Sequence, residues 1–167
     1  MVELTTGERL QPSLIDRLTD NDPTNPKESR EQRVMSLQQI RDAVQRDLAS
    51  LLNAGCLATT DDLEEYPYVA RSVLNYGIPD LSGMTVHGTD TVILERALHQ
   101  AIVDFEPRIL ADSLRVRVVT DPEEMHRNAM VFVIEGKLWS QPMPLRLLWN
   151  TEVDLETGDV IVTEGSR

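Results

Sequence analysis

From Leu37 the apolar residues fall at Ile40, Val44, Leu48 and Leu51, a spacing of three to four that predicts an amphipathic helix. Ser36-Leu37-Gln38-Gln39 has the capping-box form at its start, and Gly55, just after Asn53, offers a left-handed stop. A second series, Leu94, Ala97, Leu98, Ala101 and Phe105, predicts another helix, capped by Thr89 or Asp90 and broken by Pro107. Between the two, Pro67 opens a short helix through Tyr68, Val69 and Val73, which ends before the turn Asn75-Tyr76-Gly77. The loop 71–83 around that turn is rich in apolar side chains, and such loops are usually pinned to the body of a protein.

From Leu114 the period falls to two. Leu114, Val116 and Val118 alternate with Arg115 and Arg117, which predicts a half-buried strand. Ala129 to Ile134 is apolar throughout, which suits a central strand covered on both faces, with a bulge at Glu135-Gly136. After Pro142 and Pro144, the residues Leu145, Leu147, Trp149, Thr151 and Val153 share one face of a third strand. Glu156-Thr157-Gly158-Asp159 is a hairpin signal leading to a short edge strand, Val160-Ile161-Val162, to which a partner strand can add. The expected architecture is α+β, with N-terminal helices packed on a C-terminal antiparallel sheet of about four strands.

Residues 1–31 read as an arm and linker, since Leu10, Pro12, Leu14, Ile15 and Leu18 run into the turn-forming stretch Asp20 to Pro26. Residues 32–167 form the expected domain. Hydrophobic residues make up 41% of the 167 and aromatics 4%, which predicts an aliphatic core anchored by Trp139, Trp149, Phe105 and Phe132. Sixteen basic residues against twenty-eight acidic ones give a net charge of −12, which disfavours nucleic acid and anionic lipid and favours protein partners with basic patches. A lone cysteine, Cys56, and the lack of a signal-like start or an apolar membrane span predict a cytoplasmic protein that does not insert into a membrane.

No G-x-S-x-G elbow, phosphate-binding glycine loop or H-E-x-x-H motif occurs. Glu123, Glu124 and His126 are too local and too few for a metal centre, and Cys56 reads as a small buried apolar residue. A peptidoglycan hydrolase would need two carboxylates across a cleft, one with a raised pKa, whereas Arg108 beside Glu106 stabilises the ionised acid. No catalytic residue, cofactor site or metal site is therefore assigned. Glu106-Pro107-Arg108 is the informative corner, because Pro107 stiffens the helix end between an acid and a guanidinium and so suits docking. The alternative is a charge pair that only braces the helix end.

Four segments combine at this point: Pro12 to Leu18, Ser72-Val73-Leu74-Asn75-Tyr76-Gly77, Asp80-Leu81-Ser82-Gly83, and Phe105 to Ile109. Together they resemble the TssE family of type VI secretion baseplate subunits, within the wider baseplate wedge proteins of contractile phage tails, sometimes labelled lysozyme-like. The resemblance implies a structural baseplate subunit that joins TssF and TssG in a wedge, near TssK and the hub, on the cytoplasmic side of the inner membrane. It also implies a start site for the TssB/TssC sheath at the sheet edge. By the same resemblance Glu106, Pro107 and Arg108, with Asn75 and Gly77, carry partner contacts. The rival reading is a hydrolase of lysozyme type.

Overall fold

The computed structural model describes residues 13–19, 37–82, 90–119, 129–139 and 144–165. Its helices precede a four-stranded antiparallel sheet, the expected α+β order: α1 Leu14–Leu18, α2 Leu37–Leu52, α3 Pro67–Ala70 and α4 Thr91–Phe105, then β1 Arg115–Val119, β2 Ala129–Leu138, β3 Leu145–Asp154 and β4 Val160–Glu164. The strands lie side by side in chain order.

The stripe read from the sequence is the buried face of α2, with Ile40, Ala43, Val44, Leu48, Leu51 and Leu52 inside. Ser36 and Thr89 lie outside the described residues. Asp90 caps α4, its carboxylate accepting from the Val92 and Ile93 amides at 3.0 and 3.3 Å. Leu94, Leu98, Ala101 and Ile102 of α4 pack with α2 on the inner face of the sheet, where Phe132, Ile134, Leu138, Leu147, Trp149 and Val153 are buried.

Several local expectations are corrected. Gly55 does not stop α2 in a left-handed turn; among the described glycines only Gly77 and Gly158 have positive φ, and Gly55 instead bridges to Ile78. The helix begun at Pro67 ends at Ala70, and a separate 3-10 turn follows at Val73–Asn75. Ser72 divides them, because its hydroxyl donates to Val69 O and accepts from the Leu74 amide, starting a new turn. β2 carries no bulge: Glu135 and Gly136 keep unbroken register with Leu148 and Leu147. Gly136 allows close packing instead, since a Cβ there would lie 3.1 Å from Ile109 Cγ2, which would have to shift. Nor is β2 covered on both faces; Val131 and Val133 are half-buried, and Glu135 and Lys137 are exposed. Trp139 is no core anchor but 46% exposed, standing just beyond the end of β2. Cys56 is half-buried, with Sγ 3.4 Å from Thr59 Oγ1.

β4 is an edge strand, as expected, but not an open one. Asp154 N donates to Asp159 O and Gly165 N to Leu148 O, so by antiparallel alternation Val160 and Val162 turn their backbone groups away from β3. The Asn53 side chain donates to Val160 O at 2.8 Å and accepts from Val160 N at 2.9 Å, while Gln45 donates to Val162 O at 2.8 Å. Gln45 of α2 and Asn53, one residue past it, thus meet three of the four outward backbone groups of Val160 and Val162. On the inner face Thr151 is 1% exposed and its hydroxyl has no hydrogen-bond partner among the described residues.

Candidate docking site at the end of the second long helix

Glu106 closes α4, its amide donating to Ile102 O at 2.8 Å. Pro107 cannot extend the helix, so the chain turns and the Ile109 amide donates back to Glu106 O at 3.1 Å. The turn buries the first charge of the motif and exposes the proline: Glu106 is 3% exposed and Pro107 lies outward. Beyond it, Ile109 bridges to Leu138, the Leu110 amide donates to Lys137 O at 2.9 Å, and the Trp139 amide donates to Arg108 O at 2.8 Å. The corner is stitched to the end of β2 and cannot swing.

A buried carboxylate needs partners, and Glu106 has them. Its Oε1 accepts from Arg108 N at 3.1 Å and Arg108 Nε at 2.6 Å, and its Oε2 from Arg108 Nη2. Arg108 Nη2 also donates to Asp47 Oδ2 on α2 at 2.5 Å. Asp47 Oδ1 in turn accepts from Arg46 Nη2 at 2.8 Å, and Arg46 Nη1 donates to Asp16 Oδ1 at 2.7 Å. Acids and bases alternate along one line, Glu106, Arg108, Asp47, Arg46 and Asp16, from the corner across α2 to α1. Burial pulls the Arg108 pKa down, but Glu106 and Asp47 outweigh it, so the guanidinium is held more firmly protonated than usual. Arg46 holds the Asp16 carboxyl below its ordinary range, with help from Ser13 and against some desolvation.

The arrangement is a charge-paired brace: each carboxylate in the line faces a guanidinium. One edge of the line stays unused. Arg108 Nη1 makes no hydrogen bond among the described residues, and the side chain is 27% exposed. Two N–H donors of the planar guanidinium are therefore left over in a corner where Pro107 and Trp139 are also exposed.

The 71–83 loop joins the same region through Tyr76, whose ring meets Phe105 edge-to-face at 5.3 Å between centroids. Burial, then the charges of Asp47 and Glu106, push the Tyr76 phenol above its usual pKa. Asn75 and Gly77 are placed differently from the corner residues. Asn75 Oδ1 accepts from the Ala58 amide and its Nδ2 donates to Ala70 O, each at 2.8 Å. Gly77, at φ 128°, lets Ile78 N reach Ala54 O at 2.8 Å, where a Cβ would stand 2.3 Å from that oxygen. Asn75 thus ties the loop to Ala58 and to the end of α3, Gly77 ties it to Ala54 just past α2, and the loop's exposed apolar residues are Val73 and Leu74 instead.

Residues 38–143, more than half of the chain, match the family model of the baseplate wedge protein gp25. The chain belongs to that family. No curated protein and no solved structure matches it. Within the gp25 wedge family, whose members include TssE, the corner residues lie inside the matched span, as do Arg46, Asp47 and Trp139. The sequence singled out neither Arg46 nor Asp47 and offered Trp139 as a core anchor. A signal existed for Asp47, which falls three residues after Val44 and four before Leu51, on the margin of the buried stripe. Among the described residues no three His, Cys, Asp or Glu side chains converge as metal ligands; His126, Glu123 and Glu124 lie outside them.

Proposed function

We propose that this chain is a non-enzymatic wedge subunit of a type VI secretion baseplate, assembling with TssF and TssG through the Glu106-Pro107-Arg108 corner. Family membership supports a structural part of a contractile-tail baseplate. The observation that carries the finer reading is the corner itself: an arginine braced from behind by two carboxylates, whose Nη1 makes no hydrogen bond among the described residues, in a corner where Pro107 and Trp139 are exposed. Such pre-organisation lowers the ordering cost of binding, and Arg and Trp are the side chains that dominate interface energetics. Asn75 and Gly77 serve the contact by fixing the loop beside it, and residues 1–31 act as an arm leading into the domain.

TssK and the hub are the expected neighbours of the assembled wedge, and the TssB/TssC sheath begins at the sheet edge. Strand addition to β4 then requires Asn53 and Gln45 to release Val160 and Val162. The working location is the cytoplasmic side of the inner membrane; no described helix is long and apolar enough to cross one.

The test is co-purification with TssF and TssG, comparing wild type with Trp139→Ala and with Arg108→Ala, each corrected for its folded fraction. Loss of the complex in both variants supports the corner contact. Association that survives both makes the corner an internal brace only, and failure of the wild type to associate sinks the wedge assignment.

A further inference from the structure

The outer face of the sheet, opposite the helices, runs against the charge of the whole protein. Arg115 and Arg117 on β1, Lys137 on β2 and Arg146 on β3 project from it, all exposed. None of the four forms an ion pair among the described residues. Arg115 spends one donor on the carbonyl of Leu114 at 2.8 Å. Lys137 and Arg146 stand directly opposite each other in the β2–β3 register, a like-charge pairing that destabilises a sheet. With twenty-eight acids in the chain, an offsetting partner was available in composition, yet none stands within ion-pair distance of the four among the described residues. Glu135, across from Arg115, is the sole acid among these positions.

The cations border apolar surface. Val131, Val133 and Leu148 are half-buried on this face, and Val119 and Ile161 are 43% and 62% exposed. At the far end of the same face the sign reverses, with Glu152 and Asp154 exposed. The face is therefore polar along the strands as well as amphipathic.

We infer that this outer sheet face docks a segment of a different protein in which carboxylates alternate with apolar side chains. Its acids meet Lys137 and Arg146, and its apolar groups cover Val131, Val133 and Leu148. The choice of occupant follows from charge. An acidic segment removes the repulsion between Lys137 and Arg146, whereas a second copy of this chain, itself at −12, is repelled at long range. The inference goes beyond the corner contact and shares no residue with it. It also refines the expectation from net charge, since this face selects acidic rather than basic partners.

The full chain is titrated into a fluorescein-labelled peptide of alternating glutamate and valine, with anisotropy read at about 20 mM and about 300 mM salt. The expected result is binding that weakens with salt, falls at least ~tenfold in Lys137→Glu/Arg146→Glu, and shifts the amide resonances of Val131 and Val133. A lysine-valine peptide should not bind. Lys137→Glu alone should raise the melting temperature by roughly 1–3 °C, because a like pair becomes an opposite pair, while peptide binding drops. A purely structural role would move stability alone. No binding, binding indifferent to the double variant, or salt-sensitive self-association that competes with the peptide would each overturn the proposal, the last by making a second copy the occupant.

Discussion

Removing the Arg108 guanidinium tests how far the corner depends on its charge line. Arg108→Ala deletes three side-chain hydrogen bonds, two to Glu106 and one to Asp47. Asp47 keeps Arg46 and partial access to water, so most of the loss falls on Glu106. That carboxylate is 3% exposed and would retain only the Arg108 backbone amide at 3.1 Å. Breaking a buried pair from one side costs about 3–5 kcal/mol; with Arg108 itself 27% exposed, the lower end applies, about 3 kcal/mol. Against a typical total of roughly 5–15 kcal/mol this is a large fraction, and it lowers the melting temperature by roughly 6–12 °C for a domain of this size. Urea unfolding of the isolated chain measures it. Arg108→Lys should recover only part, because a point charge cannot reproduce the fork, and adding Glu106→Gln to Arg108→Ala should recover more by removing the stranded charge. A loss below about 1 kcal/mol, or no recovery in the double variant, would refute the reasoning.

Thr151→Val should leave stability unchanged or raise it by about 1 kcal/mol, since it replaces an unpartnered buried hydroxyl with a methyl; a loss above that on urea denaturation would show that the hydroxyl has a partner. Gly77→Ala should cost more than ~2 kcal/mol and expose the 71–83 loop to protease, because φ 128° and a 2.3 Å approach to Ala54 O leave no place for a Cβ. Asp16 has a lowered folded pKa, so its contribution is present above its ordinary value of 3.8 and is lost as pH falls below that; amide exchange at residues 14–18 should accelerate there in wild type and be fast at all pH in Asp16→Asn. Asn53→Ala should leave β4 with two unmet backbone groups and make the chain more prone to self-association, read by light scattering.

Periodicity made the scaffold legible because burial on one face leaves a repeat in the sequence. The stripe of α2 from Ile40 to Leu51 and the alternation on β3 from Leu147 to Val153 are found as read, while α4 buries Leu94, Leu98 and Ala101 as read but adds Ile102 and leaves Ala97 and Phe105 half-buried. What failed was local and depended on tertiary company. Gly136 has the same letter whether it makes a bulge or admits Ile109, and Trp139 differs from Trp149 only in lying one residue past the end of β2. At the corner, Glu106 to Arg108 stood out because proline between opposite charges is a local signal. Asp47 and Arg46 complete that line from about sixty residues away, and no spacing rule links them to it. The basic sheet face was hidden for a related reason: Arg115, Arg117, Lys137 and Arg146 converge only once register is known.

The Asn53 side chain has one further meaning. A carboxamide is the side-chain counterpart of a peptide group, with one carbonyl and one N–H set side by side. By accepting from Val160 N and donating to Val160 O it gives the last strand the pair of bonds that a fifth strand would supply. A single residue at the end of α2 therefore acts as a placeholder for an absent neighbour. An incoming strand competes with one side chain able to rotate away, not with bulk water alone, so the edge stays closed to chance encounters and open to a partner long enough to make many bonds at once.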